Sequence, residues 1–342
     1  MMRKLFALAV ILALFPAATL AQASFNLDLE VRAEWDNVST QGGGVDHDAS
    51  GFHGSMANIK IFGDLTPGLH YLYRQRLTEK TFDGRSLFDS IDMALITYET
   101  ARWRFALGKN AIALGGYEID STPIDEYWYC DHSNALSGYL VSVGATYKFD
   151  RHQMLTLQLS QSPYSRLDGK PADMYAVNLM WTGRVLPKWE TIWSANLLQQ
   201  DLDGHCIDYL SLGNRLVIGP GHTLDVDFMW RGLVAMPARG LKAGFDFSGV
   251  VKYGFRMSDY LELQCKLTRD RNSGVGIDLL LPDGADSWTF GGGLCWYPKG
   301  TTLWRVFAMA GKAVDNGTAS VAYASSPLRL MIGTTWKVNM CH

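Results

Sequence analysis

The chain has 342 residues, of which 47% are hydrophobic and only 19% charged, with a formal net charge of −3. The mean hydropathy is −0.03, which is typical of membrane β-barrels because their lipid-facing and lumen-facing residues cancel in the average. The mildly acidic balance disfavours nucleic acid as a partner. The cysteines are odd in number and irregularly spaced, which argues against a disulfide framework or a cysteine-rich metal site. They are Cys130, Cys206, Cys265, Cys295 and Cys341.

The N-terminal segment has the pattern of a secretory signal peptide. Arg3 and Lys4 precede an apolar run over residues 5–15, and small residues follow. The run is too short to span a membrane as a helix, so we predict a cleaved signal peptide over residues 1–23. Its removal changes the formal net charge from −3 to −5, because Arg3 and Lys4 are lost. The remainder, residues 24–342, is predicted to be one exported domain in the outer membrane of a Gram-negative cell.

The first segment of this domain, residues 25–36, alternates strictly between apolar and polar side chains. Successive side chains of a β-strand point to opposite faces. One face of this strand is therefore apolar and the other is charged. The apolar face comprises Phe25, Leu27, Leu29, Val31, Ala33 and Trp35.

Similar segments recur to the C-terminus, each about ten residues long, which is the length of a tilted membrane-spanning strand. In the clearest segments all charged residues occupy the alternate positions that point away from the apolar face. This segregation has a physical cause, since a Lys or Arg facing lipid costs about 2–4 kcal/mol at the bilayer midplane. The second, tenth and fifteenth segments alternate poorly. The sixteen predicted strands are 25–36, 53–63, 69–79, 89–99, 102–109, 138–149, 153–162, 173–182, 189–199, 206–218, 222–231, 245–256, 259–268, 286–296, 303–313 and 328–340.

The connections between the predicted strands alternate between tight turns and longer polar segments. Short periplasmic turns and long extracellular loops are the expected layout of bacterial outer-membrane barrels. We therefore predict an all-β fold, a transmembrane antiparallel β-barrel of about sixteen strands, which is wide enough to leave an aqueous channel. The alternative is a secreted soluble all-β protein, but the sequence lacks the repeats of a propeller or solenoid.

The longest connection is the third long loop, residues 110–137. Aromatic residues are interleaved with its acidic ones, and such a loop can fold into a barrel and narrow its lumen. The alternative is an ordinary surface loop. The acidic candidates for the pore lining are Glu118, Asp120, Asp125 and Glu126.

Basic residues occupy the lumen parity of three early strands and predict a positively charged stripe on one wall. Arg and Lys linings favour anions, and Arg also matches the geometry of phosphate and carboxylate groups. Acidic residues on the first and eleventh strands oppose this stripe, and a pore lining must in any case be charged to hold water. The predicted stripe consists of Lys60, Arg74, Arg76, Arg102 and Arg104.

Four segments carry a resemblance to a known family. They are Arg74-Gln75-Arg76-Leu77, then Ala94–Tyr98, then Arg104-Phe105-Ala106-Leu107-Gly108-Lys109-Asn110, then Gly115-Gly116-Tyr117-Glu118. Together they resemble the phosphate-selective porin O and P family. The resemblance implies sixteen strands, a homotrimer and diffusion of anions or small solutes across the outer membrane.

Catalysis is not supported by any residue constellation. His132-Ser133-Asn134 has the residue types of a hydrolase triad, but consecutive loop residues cannot easily form a nucleophile–base relay. His47 lies between two aspartates in a loop more typical of a solvated surface than of a metal site. We predict a porin for small hydrophilic solutes, without enzymatic activity, metal or cofactor, in contact with outer-membrane lipid. The alternative is a structural or adhesion barrel with a plugged lumen.

Overall fold

The structure is a computed structural model that describes residues 23–39, 43–77, 87–136, 138–167, 170, 172–234, 246–272, 280, 284–315 and 328–341. Residues 1–22 of the predicted signal peptide lie outside the described residues, as does Ser137 at the end of the predicted third loop.

The described residues form a closed antiparallel barrel in which every strand pairs with its sequence neighbours and β1 pairs with β16. This confirms the predicted fold class. The strands are β1 Asn26–Val38, β2 Gly51–Thr66, β3 Leu69–Arg76, β4 Ile91–Glu99, β5 Trp103–Ala111, β6 Tyr139–Lys148, β7 Met154–Gln161, β8 Tyr175–Leu186, β9 Trp189–Gln199, β10 Cys206–Gly219, β11 His222–Arg231, β12 Asp246–Arg256, β13 Leu261–Arg271, β14 Asp286–Trp296, β15 Trp304–Asp315 and β16 Arg329–Cys341.

Each predicted strand overlaps one observed strand, and β9, β11 and β14 have the predicted bounds. The prediction for the fifth strand was wrong at its start, because β5 begins at Trp103 and Arg102 lies in the preceding turn. Short turns connect the strands at one end of the barrel and long connections do so at the other, as expected for a bacterial barrel.

Short helical elements occur only in the long connections of the described chain. They are α1 Leu87–Ser90, α2 Tyr117–Asp120, α3 Asp131–Ala135 and the 3-10 turns Pro123–Asp125 and Pro163–Arg166. No helix among the described residues has the length and apolar character needed to cross a membrane.

The two faces of the barrel differ as the alternation predicts. Leu107 and Leu157 point outward and are 66% and 55% exposed, which suits a lipid environment. On the inner face a polar ladder crosses β7, β8 and β9. Asn178 donates to Gln158 at 3.1 Å, and Asn196 donates to Asn178 at 2.9 Å. Buried amides thus satisfy one another inside the barrel.

Apolar clusters also occur inside the barrel, which the sequence analysis did not predict. One cluster joins inward residues of β6 and of β8 to β11 with the third loop, and includes Ile112, Leu114, Tyr209 and Met229. A second joins Tyr127 and Trp128 of the loop to inward residues of β14, β15 and β16. The loop and the barrel wall therefore share a hydrophobic core within the lumen.

Candidate functional site

The third loop runs across the inside of the barrel and is bound to the wall by its backbone. The amide of Gly115 donates to Ser194 Oγ on β9 at 2.8 Å. The amides of Tyr117 and Glu118 donate to the two carboxylate oxygens of Asp227 on β11, at 2.9 and 2.7 Å. Inward polar side chains of the wall thereby pair with loop backbone groups that would otherwise be buried without partners.

Glycines allow the loop backbone to lie directly on the wall. A Cβ atom at Gly213 of β10 would lie 2.6 Å from the Cα of Gly116, and a Cβ atom at Gly115 would lie 2.5 Å from the Ile192 carbonyl oxygen. Gly116 also has a φ of 120°, a conformation that other residues rarely adopt. Loop and strands can approach this closely only where side chains are missing from both.

Two acidic residues of the loop are buried against lysines of the wall. Lys266 Nζ lies 2.6 Å from Glu118 Oε1 and 2.9 Å from Glu126 Oε2, and Lys252 also pairs with Glu126. Burial alone would raise the pKa of Glu126, but the two ammonium groups outweigh it and lower that pKa to about 2. Both carboxylates therefore fix the loop to β12 and β13 rather than face open water.

The next part of the loop is attached to β15, β16 and β1. Asp125 lies 2.8 Å from Arg305 Nη1 and 2.9 Å from Lys337 Nζ. These cations outweigh the burial of Asp125 and hold its pKa below the usual range. Arg32 of β1 donates to the Glu126 carbonyl oxygen at 2.5 Å. The loop thus reaches the far side of the barrel from β5, where it begins.

Aromatic packing completes the attachment. The Tyr127 ring lies 4.8 Å from the Phe307 ring, centroid to centroid. A Cβ atom at Gly291 would lie 2.8 Å from the Trp128 ring, so β14 lacks a side chain where the indole packs. The loop therefore occupies the part of the lumen bounded by β9 to β16 and β1.

Two cavities remain beside the loop, next to β3 to β7. The outer cavity, about 680 Å³, lies towards the long connections and is bounded by β3, α1, β4, β5, the third loop, β6 and the 3-10 turn Pro163–Arg166. The inner cavity, about 470 Å³, lies towards the short turns. Ala111, Ile112 and Ile119 line both cavities, and we call these three shared residues the neck.

The outer cavity carries an excess of positive charge. Three cations against two carboxylates in its lining leave a formal net charge of +1. Among the described residues no carboxylate lies within ion-pairing distance of Lys109, whose ammonium donates to the Phe88 carbonyl oxygen at 2.8 Å. The cations are Arg76, Lys109 and Arg166, and the carboxylates are Asp89 and Asp92.

No protein-family model matches the chain, and no curated protein matches it. Solved outer-membrane proteins share its architecture. The trimer form of OmpT from Vibrio cholerae superposes with a TM-score of 0.59 at 12% identity, covering 92% of this chain and 99% of that one. The anion-selective porin from Comamonas acidovorans gives a TM-score of 0.65 at 10% identity, covering 93% and 100%. The outer membrane channel DcaP of Acinetobacter baumannii gives 0.62 at 10% identity, covering 93% and 98%.

This chain has the porin fold. At such identities the likeness concerns the fold alone. The roles of the lining residues are therefore argued from the geometry of this barrel.

The predicted basic stripe is divided between the two ends of the barrel. The register places Lys60 opposite Arg74 on neighbouring strands. Arg74 and Arg76 both pair with Asp92, at 3.1 and 2.8 Å, beside the outer cavity. Arg104 lies at the other end.

At the end of the barrel with the short turns, Arg104 lines the inner cavity and pairs with Glu99 at 2.9 Å. Arg102 is exposed in the turn before β5. The stripe is thus a group near the outer cavity and a separate group near the short turns.

The four acidic candidates of the loop also separate. Asp120 lines the inner cavity, and burial raises its pKa, while Arg215 lowers it. Glu118, Asp125 and Glu126 pair with cations of the wall instead. Most of the negative charge of the loop is therefore neutralised on the side turned away from the two cavities.

Sequence alternation missed Asp92 and Lys109, and backbone irregularities explain why. The register between β3 and β4 shifts between Arg74 and Gln75, which leaves Asp92 as an extra residue opposite them. Before Lys109, Gly108 has a φ of 134°. Strict alternation from Arg104 would have turned Lys109 towards lipid, whereas it lines the outer cavity. In the sequence, Gly108 was the one sign that the alternation changes before Lys109.

The other two missed residues, Asp89 and Arg166, lie in α1 and in the 3-10 turn Pro163–Arg166 and pair at 2.7 Å. The prediction for the fourth strand was wrong at its start, since it included Asp89 whereas β4 begins at Ile91. Arg166 lies in a long connection, where no periodicity shows which residues point inward. The His132-Ser133 pair does not form a relay in the structure, because His132 packs on Tyr209 and Ser133 donates to Glu118 at 2.5 Å.

Proposed function

We propose that this protein is an outer-membrane porin, a channel rather than an enzyme, through which small hydrophilic solutes diffuse. The observation that carries the proposal is the pair of cavities that meet at Ala111, Ile112 and Ile119 inside a closed barrel. Polar and apolar side chains both line the inner cavity, and the polar ones, among them Glu99, Arg104 and Gln158, offer hydrogen bonds to a hydrophilic solute.

The second candidate is a structural or adhesion barrel with a plugged lumen. The observation that favours it is the neck itself, where the loop brings apolar residues into the passage. Conductance of the refolded full-length protein in a planar bilayer separates the two. Stepwise currents in potassium chloride support the channel, whereas a folded, inserted and silent barrel would overturn it.

Anion preference is part of the proposal and is supported by the net charge of +1 in the lining of the outer cavity. A salt gradient across the bilayer should give a reversal potential directed towards the anion. Replacing both Arg74 and Arg76 by Gln should shift it towards cations, since Asp92 would lose its paired guanidinium groups. An unchanged reversal potential would remove both arginines from the ion path.

Phosphate is the anion named in the family that the sequence resembles, and it provides a separate test of the anion preference. Arg76 and Arg166 line the outer cavity with guanidinium groups, which suit phosphate oxygens. If phosphate is the preferred solute, millimolar phosphate should reduce chloride current by occupying the channel. Equal currents with and without phosphate would leave a general anion preference and remove phosphate selectivity.

A homotrimer in outer-membrane lipid completes the proposal. The Vibrio cholerae structure is described as a trimer form, and the outward apolar faces here suit a membrane or a neighbouring barrel. Conductance steps in groups of three, together with a trimer mass in detergent, would support the assembly. Single steps with a monomer mass would contradict it and leave the channel proposal intact.

A further inference from the structure

The outer cavity has two chemically different sides. The barrel side presents Arg76, Lys109 and Arg166 together with the carboxylates that pair with the guanidinium groups. The loop side presents the apolar residues Ile119 and Pro123, the ring of Tyr129, and small polar groups. A solute in the cavity therefore meets fixed cations on one side and apolar surface on the other.

The neck is also apolar, and it shares Ile119 with the loop side of the outer cavity. Ala111, Ile112 and Ile119 line both cavities, so a solute passes these aliphatic side chains to move between them. A small, strongly hydrated inorganic anion gains nothing from such a surface and loses part of its hydration there. An aliphatic body gains free energy from the same contact because its own surface leaves water.

The excess charge lies on one side of the neck only. The inner cavity contains the pair Glu99 and Arg104 together with Asp120 and neutral hydroxyl and amide groups. An anion is therefore attracted to the outer cavity and is not held by an equal excess of cations beyond the neck. An anion that binds in the outer cavity and more weakly in the inner cavity can pass through the channel.

We infer that the preferred solutes are small organic carboxylates with an apolar body, with the carboxylate held by Arg76 and Lys109 and the body in contact with Ile119. The inference rests on the proposed channel function. It makes Ile119 a specificity-determining residue and Lys109 an anion-binding one. The outer cavity, at about 680 Å³, has the volume of a small-molecule site.

The test is the permeability of acetate, butyrate and hexanoate relative to chloride, from reversal potentials of the full-length protein in a planar bilayer. The three anions share one charge and differ only in methylene number. Free diffusion would make permeability fall with chain length. The inference predicts that it rises from acetate to hexanoate.

Ile119→Ser should reduce the hexanoate-to-acetate permeability ratio by about fourfold or more, the factor expected for losing one buried methylene contact. The matched control is Leu202→Ser, since Leu202 is an exposed residue of the β9–β10 connection that lines neither cavity. A ratio that falls in the control as much as in Ile119→Ser would remove Ile119 from the selectivity.

The outcomes separate this inference from the proposed function. Chloride current with permeability falling from acetate to hexanoate would overturn the inference and leave the channel standing. Absence of any current from folded, inserted protein would overturn the channel itself. A wild-type preference for hexanoate that Ile119→Ser leaves unchanged would overturn the assignment to the neck.

Discussion

At the residue scale, the net charge of the outer cavity depends on two residues that share one small region. Lys109 is a buried cation without a carboxylate partner among the described residues. Asp92 is a buried carboxylate between Arg74 and Arg76 and neutralises part of their charge. Removing either charge changes the net charge by one unit, in opposite directions.

Lys109→Gln should therefore shift the reversal potential towards cations, and Asp92→Asn should shift it towards anions. One unit charge at about 4 Å in water is worth about 1 kcal/mol, or about a fivefold change in the permeability ratio. The measurement is the reversal potential in a potassium chloride gradient at low ionic strength.

Lys188→Gln is the matched control, since Lys188 is exposed in the β8–β9 turn and lines neither cavity. Shifts of the same sign in Lys109→Gln and Asp92→Asn would contradict the electrostatic account. Raising the ionic strength should reduce both shifts, because salt screens charges separated by more than a Debye length.

At the element scale, the third loop behaves as an internal wall of the barrel. Its backbone pairs with Ser194 and Asp227, and its carboxylates pair with Lys252 and Lys266. Glycines of the loop and of the strands lie where the two meet, so that the two backbones can be in direct contact. The position of the neck therefore depends on contacts made on the opposite side of the loop.

Lys266→Met should loosen this wall. It leaves Glu118 without its lysine partner and Glu126 with one of two, and breaking a buried ion pair by removing one partner costs about 3–5 kcal/mol. The expected result is a larger and noisier single-channel conductance, measured in a planar bilayer. Lys299→Met, at an exposed lysine of the β14–β15 turn, is the control and should conduct like wild type.

The attachment of the loop through Glu126 should resist acid. The pKa of Glu126 is lowered to about 2 from an ordinary value of 4.5, so its ion pairs stabilise the folded loop fully above pH 4.5. This contribution is lost only as the pH falls towards 2. The difference in single-channel conductance between wild type and Glu126→Gln should therefore stay constant from neutral pH to about 4.5. A difference that already shrinks well above pH 4.5 would contradict the role of the Glu126 charge.

At the scale of the whole molecule, closure of the sheet removes every free strand edge, and the two faces then meet different solvents. In lipid an unpaired edge would be costly, and pairing of β1 with β16 satisfies both end strands. The outward side chains can be apolar throughout because lipid surrounds them. The inward ones can be polar because they meet water, one another or the third loop.

Leu157→Arg tests this division. Leu157 is 55% exposed near the middle of β7, and Arg on the lipid face at the midplane costs about 2–4 kcal/mol. The free energy of unfolding in lipid vesicles, followed by tryptophan fluorescence in urea, should fall by that amount. Leu202→Arg, in an exposed connection, should leave it unchanged. Equal effects of the two substitutions would contradict a lipid contact at Leu157.

Much of the fold was predictable because alternation is a local property of strands. The bounds of β9, β11 and β14 follow from it directly. The tenth and fifteenth strands alternate poorly for a reason that lies elsewhere in the chain. Inward Tyr209 of β10 and inward Phe307 of β15 pack against the third loop inside the lumen, so apolar residues occupy both faces of these strands.

The site was less predictable than the fold. The sequence pointed to Arg76, which lines the outer cavity, to Arg74, which shares its partner Asp92, and also to Arg102, which lies in a turn. It could not place Asp92 and Lys109, because a register shift and the φ of Gly108 change which way they face. Such irregularities are set by pairing with neighbouring strands.

The sequence by itself determined the barrel, its approximate number of strands and its two faces, because strand periodicity and connection length are local and the cost of charge in lipid acts on each strand separately. Only the tertiary structure decided where the third loop lies, that Glu118 and Glu126 pair with the wall, and that Lys109 is left without a carboxylate partner among the described residues. These depend on contacts between residues far apart in the chain, and no local pattern specifies them.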